Sequence, residues 1–66
     1  MPRYQIGDQI RILPEGATPF AGLEGLVQEV LPNDRNISTL HRYTVLFKWG
    51  ERQTFYEVQL ALVDKP

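Results

Sequence analysis

Gly7-Asp8-Gln9-Ile10-Arg11-Ile12, followed by Pro19-Phe20-Ala21-Gly22-Leu23-Glu24-Gly25-Leu26-Val27-Gln28-Glu29-Val30, decides the fold of this chain. In the first stretch polar and β-branched residues alternate, which puts Ile10 and Ile12 on one face and Arg11 on the other, the period of a half-buried strand. In the second, the apolar positions from Leu23 to Leu31 have a spacing that a helix could also satisfy. Gly22 and Gly25 each cost about 1 kcal/mol relative to Ala inside a helix, and Val27 and Val30 prefer a pleated surface, so a strand is expected. With Gly25 and Val27 facing inward, strict alternation would bury Glu29 and expose Val30. A bulge near Gln28-Glu29 restores the phase and bends the strand.

Working outward, Pro14-Glu15-Gly16-Ala17-Thr18-Pro19 lacks ladder donors at its prolines and reads as an exposed loop. Pro32-Asn33-Asp34-Arg35-Asn36 is a concentrated turn signal that ends the second strand. Ile37 to Arg42 is read as loop, with an arm of the next hairpin as the alternative. Tyr43 to Trp49 is rich in aromatic and β-branched residues, with Tyr43, Val45 and Phe47 on one face. Gly50-Glu51 turns the chain into a return strand, Arg52 to Tyr56. Glu57 to Leu60 is expected to form a tight helical turn before a short last strand, Ala61 to Val63. Five short strands with such a turn predict an all-β domain: a small, strongly bent antiparallel sheet closed as an SH3-like barrel.

Sixty-six residues hold one core and hence a single domain, 1–66. The chain contains no cysteine, so neither disulfides nor thiolate metal ligands contribute, and a reducing, cytoplasmic location is expected. No apolar run approaches the roughly 20 residues of a membrane span, and the start, Met1-Pro2-Arg3-Tyr4, predicts a soluble, unprocessed chain. A formal net charge of −1 argues against a general electrostatic grip on nucleic acid.

The order Gly7-Asp8-x-Ile10-Arg11-Ile12, then Pro19-Phe20-Ala21-Gly22-Leu23-Glu24-Gly25-x-Val27-x-x-Val30, then a strand closing on Trp49-Gly50, resembles the KOW domain at the C-terminus of NusG-type transcription factors. The resemblance spans nearly the whole chain, and its most specific part is the Pro-Phe-Ala-Gly-x-x-Gly run. It implies an SH3-like barrel that recruits a ribosomal protein or a transcription factor through aromatics at the positions of Phe20 and Trp49. A weaker resemblance, carried by Ile10-Arg11-Ile12-Leu13-Pro14 and Tyr43-Thr44-Val45-x-Phe47, is to the SH3-like accessory subunits of photosynthetic electron-transfer complexes, PsaE and its relatives. That would make the chain part of a larger assembly that helps dock an acidic electron carrier.

The expected protein-binding residues are Phe20, Leu23 and Trp49. Trp49, the sole tryptophan, either caps the barrel or stands out as an anchor of the kind enriched in interfaces. Phe20 has a simpler use as a plug over the barrel mouth. Arg35, Arg42, Lys48 and Arg52, interleaved with Tyr43, Trp49 and Tyr56, are candidate contacts to RNA or to an acidic partner, although Asp34, Glu51 and Glu57 offset them. His41 is read as an ordinary surface histidine. Catalysis is not expected, because no nucleophile, base and orienting group are brought together, and no cofactor, metal or small-molecule substrate is implied. The chain is expected to act as a monomer or as a subunit of a larger complex.

Overall fold

The computed structural model describes residues 2–16 and 18–63. Ala17, within the expected loop, lies outside the described residues. Five strands form one antiparallel sheet: β1 Gln9–Ile12, β2 Glu24–Leu31, β3 Arg42–Leu46, β4 Arg52–Tyr56 and β5 Leu60–Leu62, in the spatial order β4-β3-β2-β1-β5. Short 3₁₀ turns at Pro14–Gly16, Ser38–Leu40 and Glu57–Gln59 punctuate the connections. Inward-facing side chains make the core: Ile10 and Ile12 of β1, Val27 of β2, Tyr43 and Val45 of β3, Phe55 of β4 and Leu60 of β5, joined by Tyr4 and Phe47.

The bend in β2 has the expected cause. Its register with β3 shifts between Val27 and Glu29, which leaves Gln28 as the extra residue. Val27 is buried, Glu29 exposed, and Val30 packs against the core, so the bulge returns the apolar phase to the inside. Gly22 takes a positive φ of 82°, which turns the chain into β2. Gly25 answers a different need: a Cβ there would stand 2.6 Å from Val45 Cγ1 and 2.7 Å from the Leu46 carbonyl oxygen. Only the absence of a side chain lets β2 and β3 approach so closely at that point.

The expected closed barrel is corrected by the ladder pattern, because β4 and β5 sit at opposite edges of an open sheet. The three residues of Glu57–Gln59 nonetheless join them, a span of about 6 Å in 3₁₀ geometry, so the sheet curls until its edges meet at one corner. There the groups that would zip the edges together are already engaged. The Tyr56 N–H donates to Gln59 Oε1 at 2.9 Å, the Leu60 N–H donates to the Glu57 carbonyl, and the Leu60 carbonyl accepts from the Tyr4 hydroxyl at 3.2 Å. With the corner satisfied by side chains and the 3₁₀ turn, no ladder forms across it.

Smaller departures have local reasons. The ladder of β3 ends at Leu46 and does not reach Trp49, because Phe47 is drawn into the turn: its N–H donates to the Glu51 carbonyl and its own carbonyl accepts from the Gly50 N–H, both at 2.9 Å. The last strand runs from Leu60 to Leu62, one residue earlier than expected. Ile37 to Arg42, read as loop, contains the 3₁₀ turn Ser38–Leu40, and Arg42 already belongs to β3.

His41 is not a surface residue: it is fully buried. Its Nδ1 accepts the Asn33 N–H at 2.8 Å, while Asn33 Oδ1 accepts the N–H groups of Arg35 and Ile37. The imidazole therefore pins the β2–β3 connection from inside, through the acceptor at Nδ1. A second buried polar group, Glu57, accepts the Tyr43 hydroxyl at 2.5 Å and the Arg3 N–H at 3.0 Å. This network ties the N-terminal segment to the 3₁₀ corner. Burial, reinforced by the bond to the Glu57 carboxylate, pushes the Tyr43 hydroxyl pKa up.

Candidate functional site

On the outer face of the sheet, alternation places Gln9, Leu26, Leu46 and Arg52 in one row, since Gln9 pairs with Leu26, Leu26 with Leu46, and Leu46 with Arg52. Inward positions on either side of this row are taken by Ile10, Val27 and Val45, so the two leucines point away from the core. Leu23, just before β2, and Trp49, in the β3–β4 turn, lie to one side of this row, before the start of β2 and beyond the end of β3. Between them lies an open groove of about 710 Å³, floored by Gly25, Leu26 and Leu46 and walled by Leu23, Lys48 and Trp49.

The tryptophan wall is held from behind. Trp49 stacks on Phe47 at 4.8 Å between centroids with planes 6° apart, and Phe47 stacks on Phe20 at 5.1 Å and 11°. Phe20 and Phe47 each meet Phe55 edge-on. Three near-parallel rings thus form one stack, with Phe47 buried in the middle, Phe20 half-buried at one end and Trp49 50% exposed at the other. One face of the indole covers Phe47, and half of the Trp49 side chain is left exposed. Its Nε1–H donates to Glu51 Oε1 at 2.9 Å, and Gln53 Nε2 donates to Glu51 Oε2 at 2.7 Å. The indole is therefore fixed in plane and in orientation before anything binds.

The bond from Trp49, followed by that from Gln53, holds the Glu51 carboxyl below its ordinary value of 4.5. A depressed carboxyl contributes stability that is present above that ordinary value and is lost as the pH falls through the lower folded one. Acidification through and below the ordinary range should therefore release the indole, seen as a change in Trp49 emission. In Glu51→Gln, whose amide oxygen still accepts from Nε1, that acid transition should vanish. An unaltered transition in the variant would mean that Glu51 does not control the ring.

Charge along the groove is unevenly used. Glu24 accepts from Arg11 Nη2 at 2.6 Å and from Gln9 Nε2 at 2.8 Å, and the Arg11 bond, with that from Gln9, lowers its carboxyl pKa. Both carboxylates nearest the groove, Glu24 and Glu51, thus have internal partners. Among the described residues, the exposed side chains of Lys48 and Arg52 have neither a hydrogen bond nor an ion pair.

Of the residues expected to bind protein, Leu23 and Trp49 line the groove together, whereas Phe20 does not line it and supports it through Phe47. The four basic residues are divided. Lys48 and Arg52 stand at the groove end of the β3–β4 hairpin, while Arg42 pairs with Tyr56 at the far end of β4 and Arg35 lies in the β2–β3 connection. Four residue steps along β3 separate Arg42 from Leu46, about 13 Å. Leu26 and Leu46 were missed as site residues. The signal was present in the alternation itself: each sits beside an inward Val, so both fall in the outward phase, and only their pairing across β2 and β3 joins them into one apolar patch. Comparison of the chain with models of known protein families, with curated proteins and with solved structures finds no match.

Proposed function

We propose that this chain is a non-catalytic binding module of KOW-like, SH3-like type, its sheet curled but open, that contacts a protein of the transcription or translation machinery through Leu23, Leu26, Leu46 and Trp49. The observation that carries this reading is the pre-fixed, half-exposed indole at the wall of an apolar groove. A ring already stacked and hydrogen-bonded loses little freedom on binding, which is what makes an efficient anchor. Charge narrows the occupant. With Glu24 and Glu51 internally engaged and Lys48 and Arg52 free among the described residues, the groove suits a protein segment that offers an apolar side chain flanked by carboxylates. The transcription or translation partner itself rests on the resemblance of Pro19 to Val30 and Trp49-Gly50 to the KOW pattern.

The test is differential capture. The immobilised chain and its Trp49→Ala variant, both checked for native circular dichroism, are exposed to cell extract and the retained proteins identified by mass spectrometry. Ribosomal or transcription proteins held by the parent and depleted about tenfold or more by the variant are expected, the scale of a hot-spot loss. Equal retention by the two would overturn the reading. The open indole beside Lys48 and Arg52 favours RNA contact as the second reading, in which a base stacks on the ring. Retained RNA whose affinity falls steeply with added salt would replace the first reading by the second. Recovery of subunits of a photosynthetic electron-transfer complex would instead support the accessory-subunit reading.

A further inference from the structure

The open sheet leaves an edge at β4, and its hydrogen-bonding phase can be read from two bonds. The Phe47 N–H donates to the Glu51 carbonyl and the Glu57 N–H to the His41 carbonyl, both at 2.9 Å, so the odd-numbered residues of β4, Gln53 and Phe55, direct their backbone groups at β3. Arg52, Thr54 and Tyr56 therefore direct theirs outward. The Tyr56 N–H is sealed by Gln59 Oε1. What stays open among the described residues is a short segment, the N–H and C=O of Arg52 and of Thr54, on two residues that are themselves exposed.

We propose that this segment pairs with the same segment of a second copy of the chain, antiparallel, about a two-fold axis through Gln53. In that register Arg52 of each copy faces Thr54 of the other, and the four outward groups of each chain are used completely in four inter-chain hydrogen bonds. The neighbouring register, centred on Thr54, sets Arg52 opposite Tyr56 and calls on the N–H that Gln59 already occupies. The seal thus selects the register, and it places Tyr56 opposite Gly50 of the other copy, beyond the paired stretch. Side chains agree with the choice. Arg52 meets a threonine and not a second arginine, the two Gln53 side chains adjoin, each keeping its amide oxygen and one N–H beyond the bond to Glu51, and a net charge of −1 offers little general repulsion. A foreign strand has no such reason to match both the length of the open segment and its sealed end. Few bonds and a mostly polar contact make the association weak and concentration-dependent.

Solution NMR of the intact chain tests this. In a sample mixed from isotope-labelled and unlabelled protein, an inter-chain contact between the Gln53 α-protons is expected, because they form the close, non-hydrogen-bonded pair of the ladder. Hydrogen exchange at the Arg52 and Thr54 amides should accelerate on dilution, while that of Gln53, bonded to β3, stays constant. Thr54→Pro removes an outward donor without touching the β3 ladder and should abolish the contact. Gln59→Ala, which uncovers the Tyr56 N–H, should lengthen the open edge and move the contact toward a Thr54-centred register. Absence of the Gln53 contact in the parent, with Arg52 and Thr54 exchange independent of concentration, would overturn the proposal.

Discussion

Replacement of Phe47 by Ala is expected to destabilise the protein by about 3–5 kcal/mol, the cost of emptying a buried aromatic site. Phe47 is 1% exposed and is the one ring in contact with Phe20, Phe55 and Trp49 together. Its removal takes away two stacked contacts and one edge-on contact at once, beyond the loss of buried area. A domain of this size has only about 3–10 kcal/mol to lose, so a substantial unfolded fraction in water is expected. Phe47→Leu separates the two contributions. It keeps most of the volume and forfeits the stacking, so it should retain the fold, cost about 1–3 kcal/mol and leave the Trp49 emission altered by the lost ring partner. Urea denaturation followed by circular dichroism gives both values. A loss below about 1 kcal/mol for Phe47→Ala would mean that the stack does not join the core to the surface as described.

Gly25→Ala is expected to follow, at about 3 kcal/mol, the upper end of the range for overpacking. The added methyl would meet Val45 Cγ1 at 2.6 Å and the Leu46 carbonyl oxygen at 2.7 Å. Neither neighbour can withdraw easily, since Val45 is fully buried with a stiff, β-branched side chain and the Leu46 carbonyl is backbone. Relief requires β2 and β3 to part where Leu26 faces Leu46, which widens the groove floor. The fitting control is Gly22→Ala. A methyl there meets nothing within 4 Å and costs only the positive φ, about 1–2 kcal/mol. Equilibrium unfolding of the two variants side by side checks the order. If Gly22→Ala were the more damaging, backbone conformation and not strand approach would be the limiting feature of this region.

The features legible in the sequence were those decided by neighbours a few residues apart. The bulge at Gln28 follows from the phase conflict between Val27 and Val30, and the 3₁₀ turn before β5 follows from the brevity of the link at Glu57 to Gln59. Long-range polar pairs were not legible. Closure of the sheet is prevented at a corner where Tyr4 reaches Leu60, 56 positions away, and nothing in the local pattern of either residue announces that bond. His41 is buried with the N–H of Asn33 aimed at its ring, and a lone histidine after a turn carries no mark of such a partner. The site was legible in part for the same reason. Trp49 and Leu23 were visible as residue types in exposed settings, but the indirect support that Phe20 gives Trp49 depends on Phe47 lying between them.

The same stack gives the central claim its sharpest test, because the partner segment must lie against the outer face of Trp49. The protein retained by the parent chain and lost by Trp49→Ala is purified and titrated into isotope-labelled chain, and backbone and indole N–H resonances are followed. Shifts confined to Leu23, Leu26, Leu46, Lys48, Arg52 and the Trp49 indole are predicted. Shifts confined to Arg35, Arg42 and the far end of the sheet, with the indole resonance unmoved, would contradict the account.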